Sequence, residues 1–274
     1  LYKSKIDKEK VIEIFDKVSV IIDYQLSKLT EESKRKYYLT AKENVEMLFE
    51  PIANCEDLIK IYKARFEENS ENAEWLKRAT SLMAKKQCTG DDIFVKMSEK
   101  LHKLEPSAES AYLMGIMMID KNQNTRAADF LKEAVELQKD HDKKSEYYLT
   151  LANHFFKNLN QPDQARAYAL RAAAEKPGWG KPYIAIGDMY AASAKECGTN
   201  DFEVSAVYWT AVDKYSKAKS VDNSMAEEAN KKIATWSKYF PNQKDAFFYG
   251  YNNGQPYNVV CWINETTTVR VIIL

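Results

Sequence analysis

The stretch AYLMGIMMIDKNQNTRAADFLKEAVELQ, Ala111 to Gln138, decides the fold. Its first half sets Gly115 between Met114 and Met118, and its second half carries Ala127, Leu131 and Ala134 at spacings of four and three. The same arrangement returns twice. Leu151-Ala152 with Phe155 precedes Ala165, Ala169, Ala172 and Pro177, and Ile186-Gly187 with Tyr190 precedes Ala211, Tyr215 and Ala218. The small anchors lie 37 and 35 residues apart, and a weaker copy (Trp75, Ala79, Leu82, closing at Pro106) has its anchor 36 residues before Gly115. A near-constant period of this size is the mark of stacked helix pairs, which offer a surface for binding more readily than a pocket for chemistry.

The offsets have a physical cause. Gly or Ala on the first helix leaves no side chain between two backbones, so the second helix can approach closely. Alanines three and four apart on the second helix make one narrow seam for the next repeat. Proline ends the second helix because it lacks an N–H and restrains the residue before it.

Composition narrows the function classes. An apolar content of 45% with 29% charged residues describes a folded chain, and 40 basic against 40 acidic residues leave no electrostatic footprint for nucleic acid. Lysines and glutamates interleave along runs such as KEKVIEIFDK and ANKKIATWSK, as on solvated helix faces. No window approaches the ~20 apolar residues of a membrane span. The opening LYKSK reads as the frayed end of a helix inside a longer chain, with any signal peptide already removed.

Helices are expected over 6–29, from a Thr30-Glu31-Glu32-Ser33 start to Phe49, and over 56–68, 72–86 and 91–104, with a break at Pro51 to Asn54. The matched repeats run over about 107–223, the third with an insertion near Ala191 to Asp201, and a helix from Ser224 to Phe240 caps the stack. After Pro241 the texture turns aromatic and β-branched. Asn252-Asn253-Gly254 supplies the positive φ that a hairpin turn needs, so two or three strands are expected to pack on the final helices. The expected architecture is all-α: a right-handed solenoid of helix pairs over 1–240, then a small C-terminal β-hairpin element over 241–274.

These repeats resemble the tetratricopeptide repeat (TPR) family. The phrases VIIDYQLSKL, KLHKLEPSAESAY, AVDKYSKAKSVD and CWINETTTVR are similar, more narrowly, to secreted repeat proteins of Bacteroidetes. Leu131 and Ala169 depart from the family's aromatic position on the second helix, and the closing proline is missing after the first and third matched repeats. The resemblance implies an exported, periplasmic or secreted scaffold of the bacterial cell envelope that binds a protein or peptide and uses no cofactor. Carried onto this chain, the family's groove positions are Tyr112, Ile116 and Ile119, then Leu149, Asn153, Phe156 and Lys157, then Ile184 and Asp188. A mostly apolar groove implies an aliphatic or aromatic peptide, or another subunit; equally, these residues pack against neighbouring repeats. The lysine-and-asparagine set by which some members clamp a peptide carboxylate is matched only by Asn153 and Lys157.

Catalytic patterns are sparse. His102, His141 and His154 are scattered, no phosphate-binding glycine loop or nucleophile elbow occurs, and the acid pairs Asp91-Asp92 and Glu227-Glu228 fall at helix starts, where the helix dipole favours them. The reading is therefore non-enzymatic and metal-free. A glycan or cell-wall binding module is the alternative, with Trp179, Trp209 or Trp236 as stacking platforms, although their helical settings favour core packing. Among four cysteines there is no CxxC. Descending one helix and ascending the next returns the chain to the same end, so Cys55 can meet Cys88, the alternative being two buried thiols. Cys197 in the insertion and Cys261 in the tail pair by the same logic with less support. Asn264-Glu265-Thr266 matches an N-glycosylation acceptor, a triplet common by chance.

Overall fold

The computed structural model describes residues 7–49, 52 and 54–272. The residues before Asp7, the expected break at Pro51 and the last two residues lie outside these. The chain divides between Pro106 and Ser107 into two compact units.

The first unit contains α1 (Lys8–Lys28), α2 (Glu32–Phe49), α3 (Cys55–Asn69), α4 (Ala73–Lys85) and α5 (Asp92–Leu104). Short polar residues start these helices where the sequence places them. Asp7, Asn54, Asn72 and Asp91 each accept a backbone N–H of the first turn, and Asn54 forms a reciprocal capping box with Asp57. Leu58, Tyr62, Leu76, Met83 and Met97 are fully buried, and the Tyr62 ring meets Trp75 edge-on at 5.5 Å. Cys55 and Cys88 form a disulfide across α3 and α4, with Cα atoms 5.3 Å apart. One carboxylate, Asp16, is buried in this unit. Burial raises the Asp16 carboxyl to about 6, against the opposing pull of Arg78 and Arg65.

The second unit is three helix pairs and their closure. The pairs are α6 (Ala108–Asp120) with α7 (Asn124–Leu137), α8 (His141–Lys157) with α9 (Pro162–Glu175), and α10 (Lys181–Ala192) with α12 (Asp201–Val221). A short α11 (Ala194–Cys197) fills the expected insertion. Gly115 and Gly187 are buried at crossings with no room to spare. A Cβ on Gly115 would lie 2.6 Å from Leu131 Cγ, and one on Gly187 would lie 2.5 Å from Tyr215 Cε1. The alanines Ala127, Ala134, Ala165, Ala169, Ala172, Ala211 and Ala218 are all fully buried along the seams.

Three first helices end alike. Gln87, Asn122 and Asn160 have φ of 58°, 57° and 51°, and the residue after each donates back to Met83, Met118 and Phe155 respectively. This left-handed closure satisfies a carbonyl that the helix would leave open, and Asn tolerates it better than most residues.

The C-terminal region departs from expectation in two ways. Asn242 caps the start of a helix, α14 (Gln243–Phe248), by accepting from Asp245 N, so Ala246 to Phe248 are helical where strand was expected. Phe247 and Phe248 on this helix are 69% and 82% exposed. Strands β1 (Pro256–Val259) and β2 (Glu265–Thr268) pair antiparallel, Tyr257 opposite Thr267. Their turn runs over 260–264, where Cys261 and Asn264 adopt φ of 65° and 41°; Asn252 to Gly254 instead form the bend before β1, with Gly254 N donating to Val269 O.

Polar groups and a disulfide hold the hairpin. Thr267 Oγ1 donates to Asp213 at 2.5 Å, Arg270 pairs with the same carboxylate, and Glu265 takes Lys214 at 2.7 Å and the Tyr190 hydroxyl at 2.5 Å. Cys197 bonds Cys261, with Cα atoms 5.5 Å apart. Phe202 stacks on Tyr249 and Tyr251, and Trp209 meets Phe240 and Tyr257 edge-on.

Two outcomes follow. Gly187→Ala drives a methyl into the ring of Tyr215, which is fully buried and cannot swing away, so unfolding in urea should show a loss of about 1–3 kcal/mol. The same change at Gly90, which meets nothing within 4 Å, is the neutral control. For Asp16 the folded-state value of about 6 lies above the unfolded one, so the native state holds the extra proton. Stability should fall as pH rises through that window, by at most about 1.4 kcal/mol per unit. Asp16→Asn should abolish this slope and make the protein more stable than the parent above pH ~6, as read by thermal melts across pH.

Candidate functional site

The first helices α8 and α10 run side by side, each antiparallel to α9 between them. Ser145 Oγ near the start of α8 donates to Ala172 O at the end of α9, and Arg166 near the start of α9 reaches the Tyr190 hydroxyl at the end of α10. A hollow of about 470 Å³ opens over them, with Leu149, Asn153, Phe156 and Lys157 on α8 and Lys181, Ile184, Asp188 and Met189 on α10. Glu228, in the first turn of α13 (Ala226–Trp236), completes the wall.

Six of the nine expected groove residues, Leu149, Asn153, Phe156, Lys157, Ile184 and Asp188, line this hollow together. Ile184 is nearly buried, so only part of it serves as floor. Tyr112, Ile116 and Ile119 on α6 do not line it. The Tyr112 ring stacks on Tyr147 at 4.1 Å and its hydroxyl lies 3.2 Å from Thr150 Oγ1, so α8 already covers it. Lys181, Met189 and Glu228 escaped the sequence reading. Lys181 sits one turn before the expected position Ile184, a spacing that helical periodicity could have supplied; Glu228 comes from the capping helix and had no local signal.

The charges of the wall are unequal in their freedom. Asp188 accepts from Lys232 Nζ at 2.8 and 2.9 Å and from the Tyr215 hydroxyl at 2.8 Å. Lys232 also lies 4.0 Å from Glu228. This burial and the adjoining carboxylate push the Tyr215 phenol well above its ordinary range, so it remains a donor. Lys157 and Lys181 are exposed and make no ion pair or hydrogen bond among the described residues.

The other candidate groups have structural partners. His154 is buried, with Nε2 at 2.8 Å from Asn124 O and Nδ1 at 3.2 Å from Asn158 Oδ1; exposed His141 pairs with Glu175, and His102 is buried on α5. Asp91 caps α5 with Asp92 following it, and Glu227 and Glu228 open α13. Among the described residues no cluster of His, Cys, Asp or Glu has the spacing to hold a metal ion, and no helix is long and apolar enough to cross a membrane. Trp209 is fully buried, Trp236 stacks on Tyr208 at 4.9 Å, and Trp179 has Lys176 over its ring at 5.7 Å.

No protein-family model and no curated protein matches the chain. Among solved structures it is similar to a crystal structure of MamA, at 18% identity and a TM-score of 0.48, covering 74% of this chain and 99% of that one. A second crystal structure of MamA protein is 21% identical with a TM-score of 0.47, covering 61% and 82%. What the chain itself displays is a stack of helix pairs, closed by a hairpin, with a mixed apolar and charged hollow on its first helices.

Proposed function

We propose that this chain is a non-enzymatic protein-interaction scaffold that holds a peptide or protein segment in the hollow over α8, α10 and α13. The hollow itself carries the reading. Apolar side chains of two successive first helices converge there with polar groups around them, the combination that fixes both affinity and orientation of a bound segment. The location we assign is the bacterial periplasm or beyond, in a protein of the secreted Bacteroidetes kind. Its support is that all four cysteines are paired, since such bonds persist in oxidising compartments and are rare in a reducing cytoplasm. A glycan-binding role has less to rest on, because the Trp209 and Trp236 rings are engaged by other aromatic side chains.

Asn153 tests the site without touching the core. It lines the hollow half-buried, so Asn153→Trp, a bulky neutral side chain, should fill the space while leaving helicity and melting temperature unchanged. A displayed library of random peptides should enrich on the parent protein and not on this variant; equal enrichment on both would move the binding face elsewhere. The location has its own test. Protein taken from its native compartment, denatured without reductant, should show no free thiol. In the chain-entropy account the 33-residue separation of Cys55 and Cys88 contributes roughly 3.7 kcal/mol, which Cys55→Ser/Cys88→Ser should remove from the unfolding free energy. Four titratable thiols would remove the argument for export.

A further inference from the structure

The hollow's charges say more than that something binds. Its two carboxylates are already served from within: Asp188 by Lys232 and Tyr215, and Glu228 by the same Lys232. A basic ligand group would have to displace an ammonium held at 2.8 Å before gaining a partner. The two lysines that line the hollow have no such engagement. Of the residues lining the hollow, Lys157 and Lys181 match Asp188 and Glu228 in number, but Lys232, outside the lining, already engages both acids, so the charge left free to face a ligand is positive. Charge complementarity of this kind selects partners and speeds encounter more than it adds raw affinity.

The placement of the lysines adds a constraint. Lys157 closes the last turn of α8 and Lys181 opens the first turn of α10. Because α8 and α10 run in the same direction, these positions lie at opposite ends of the hollow, with Phe156, Leu149 and Met189 between them. A single terminal carboxylate can serve one end only. An extended segment with an apolar side chain in the middle and acids on both sides serves both and covers the apolar floor.

Resting on the peptide-binding reading above, we infer that the ligand is an internal acidic segment of a partner protein: a bulky aliphatic or aromatic residue flanked on each side by Asp or Glu. Lys157 and Lys181 each take one acid, and the partly exposed Leu149 and Phe156 receive the apolar side chain.

The test uses a synthetic array of short randomised peptides, every C-terminus amidated, probed with the full chain, with Lys157→Gln/Lys181→Gln and with Asn153→Trp. The inference expects Asp and Glu to be enriched on both sides of an apolar residue on the parent protein. The double lysine variant should keep the apolar preference and lose the acidic one, binding the enriched peptides about tenfold more weakly at low salt. Raising the salt should erase most of that difference, because exposed charges are screened. Enrichment of neutral or basic peptides that Asn153→Trp still abolishes would overturn the acidic assignment and leave the groove standing. Enrichment indifferent to Asn153→Trp, or none at all, would overturn both. Self-association of the chain, detected by sedimentation and abolished by Asn153→Trp, would put a second copy in the hollow and overturn the inference as well.

Discussion

Everything in the C-terminal unit depends on one steric permission, the absence of a side chain at Gly115 and Gly187. At those points the second helix of each pair comes so near that Leu131 and Tyr215 occupy the space a methyl would need. Close approach lets the alanine seams of α7, α9 and α12 bury completely, and full burial of many small groups substitutes for a single large core. A repeat array draws its stability from such neighbour contacts, so a fault in one crossing is felt by the repeats on both sides.

The hairpin solves a different problem. Two strands alone do not form a stable sheet, and their open edges invite pairing with other chains. Here one face packs on α12, while Asp213 and Glu265 gather Thr267, Arg270, Lys214 and Tyr190 into a partly buried set of charge-assisted bonds. Each exposed pair by itself would add little. Their value lies in register: a slip of one residue along β2 would turn Thr267 and Val269 outward and break the set at once. The Cys197–Cys261 bond anchors the turn that joins the two strands.

Legibility in the sequence followed the range of the interactions. Helix starts were readable because a cap is local: Asn54, Asn72, Asp91 and Ser107 act within three residues of themselves. The repeat was readable because the steric rule recurs. Its left-handed closures at Gln87, Asn122 and Asn160 recur too, 35 and 38 residues apart, but a lone Gln or Asn in a polar turn carries no distinctive pattern. The tail was half readable. Its strands announced themselves by β-branched residues, whereas the choice between two turns, Asn252 to Gly254 or 260–264, depended on which register buries Val259 and Ile263 against distant helices. The site was legible where it repeats the α8 and α10 pattern. It failed on α6, because nothing local to Tyr112 says that Tyr147 will cover it.

Tyr215 joins the fold to the site. Its ring fits only because Gly187 has no side chain, and that fit brings its hydroxyl to the carboxylate of Asp188, the next residue along α10. Lys232 from α13 lies 5.8 Å over this ring while bonding Asp188, so the capping helix is tied to the same place. The acid on the groove wall is thus neutralised as a consequence of helix packing, and the cations left free are those on α8 and α10 that packing does not use. A larger residue at 187, by displacing the ring, would withdraw one partner from Asp188 and alter the charge presented to a ligand as well as the stability of the pair. The crossing that permits the repeat also sets the polarity of the surface that the repeat presents.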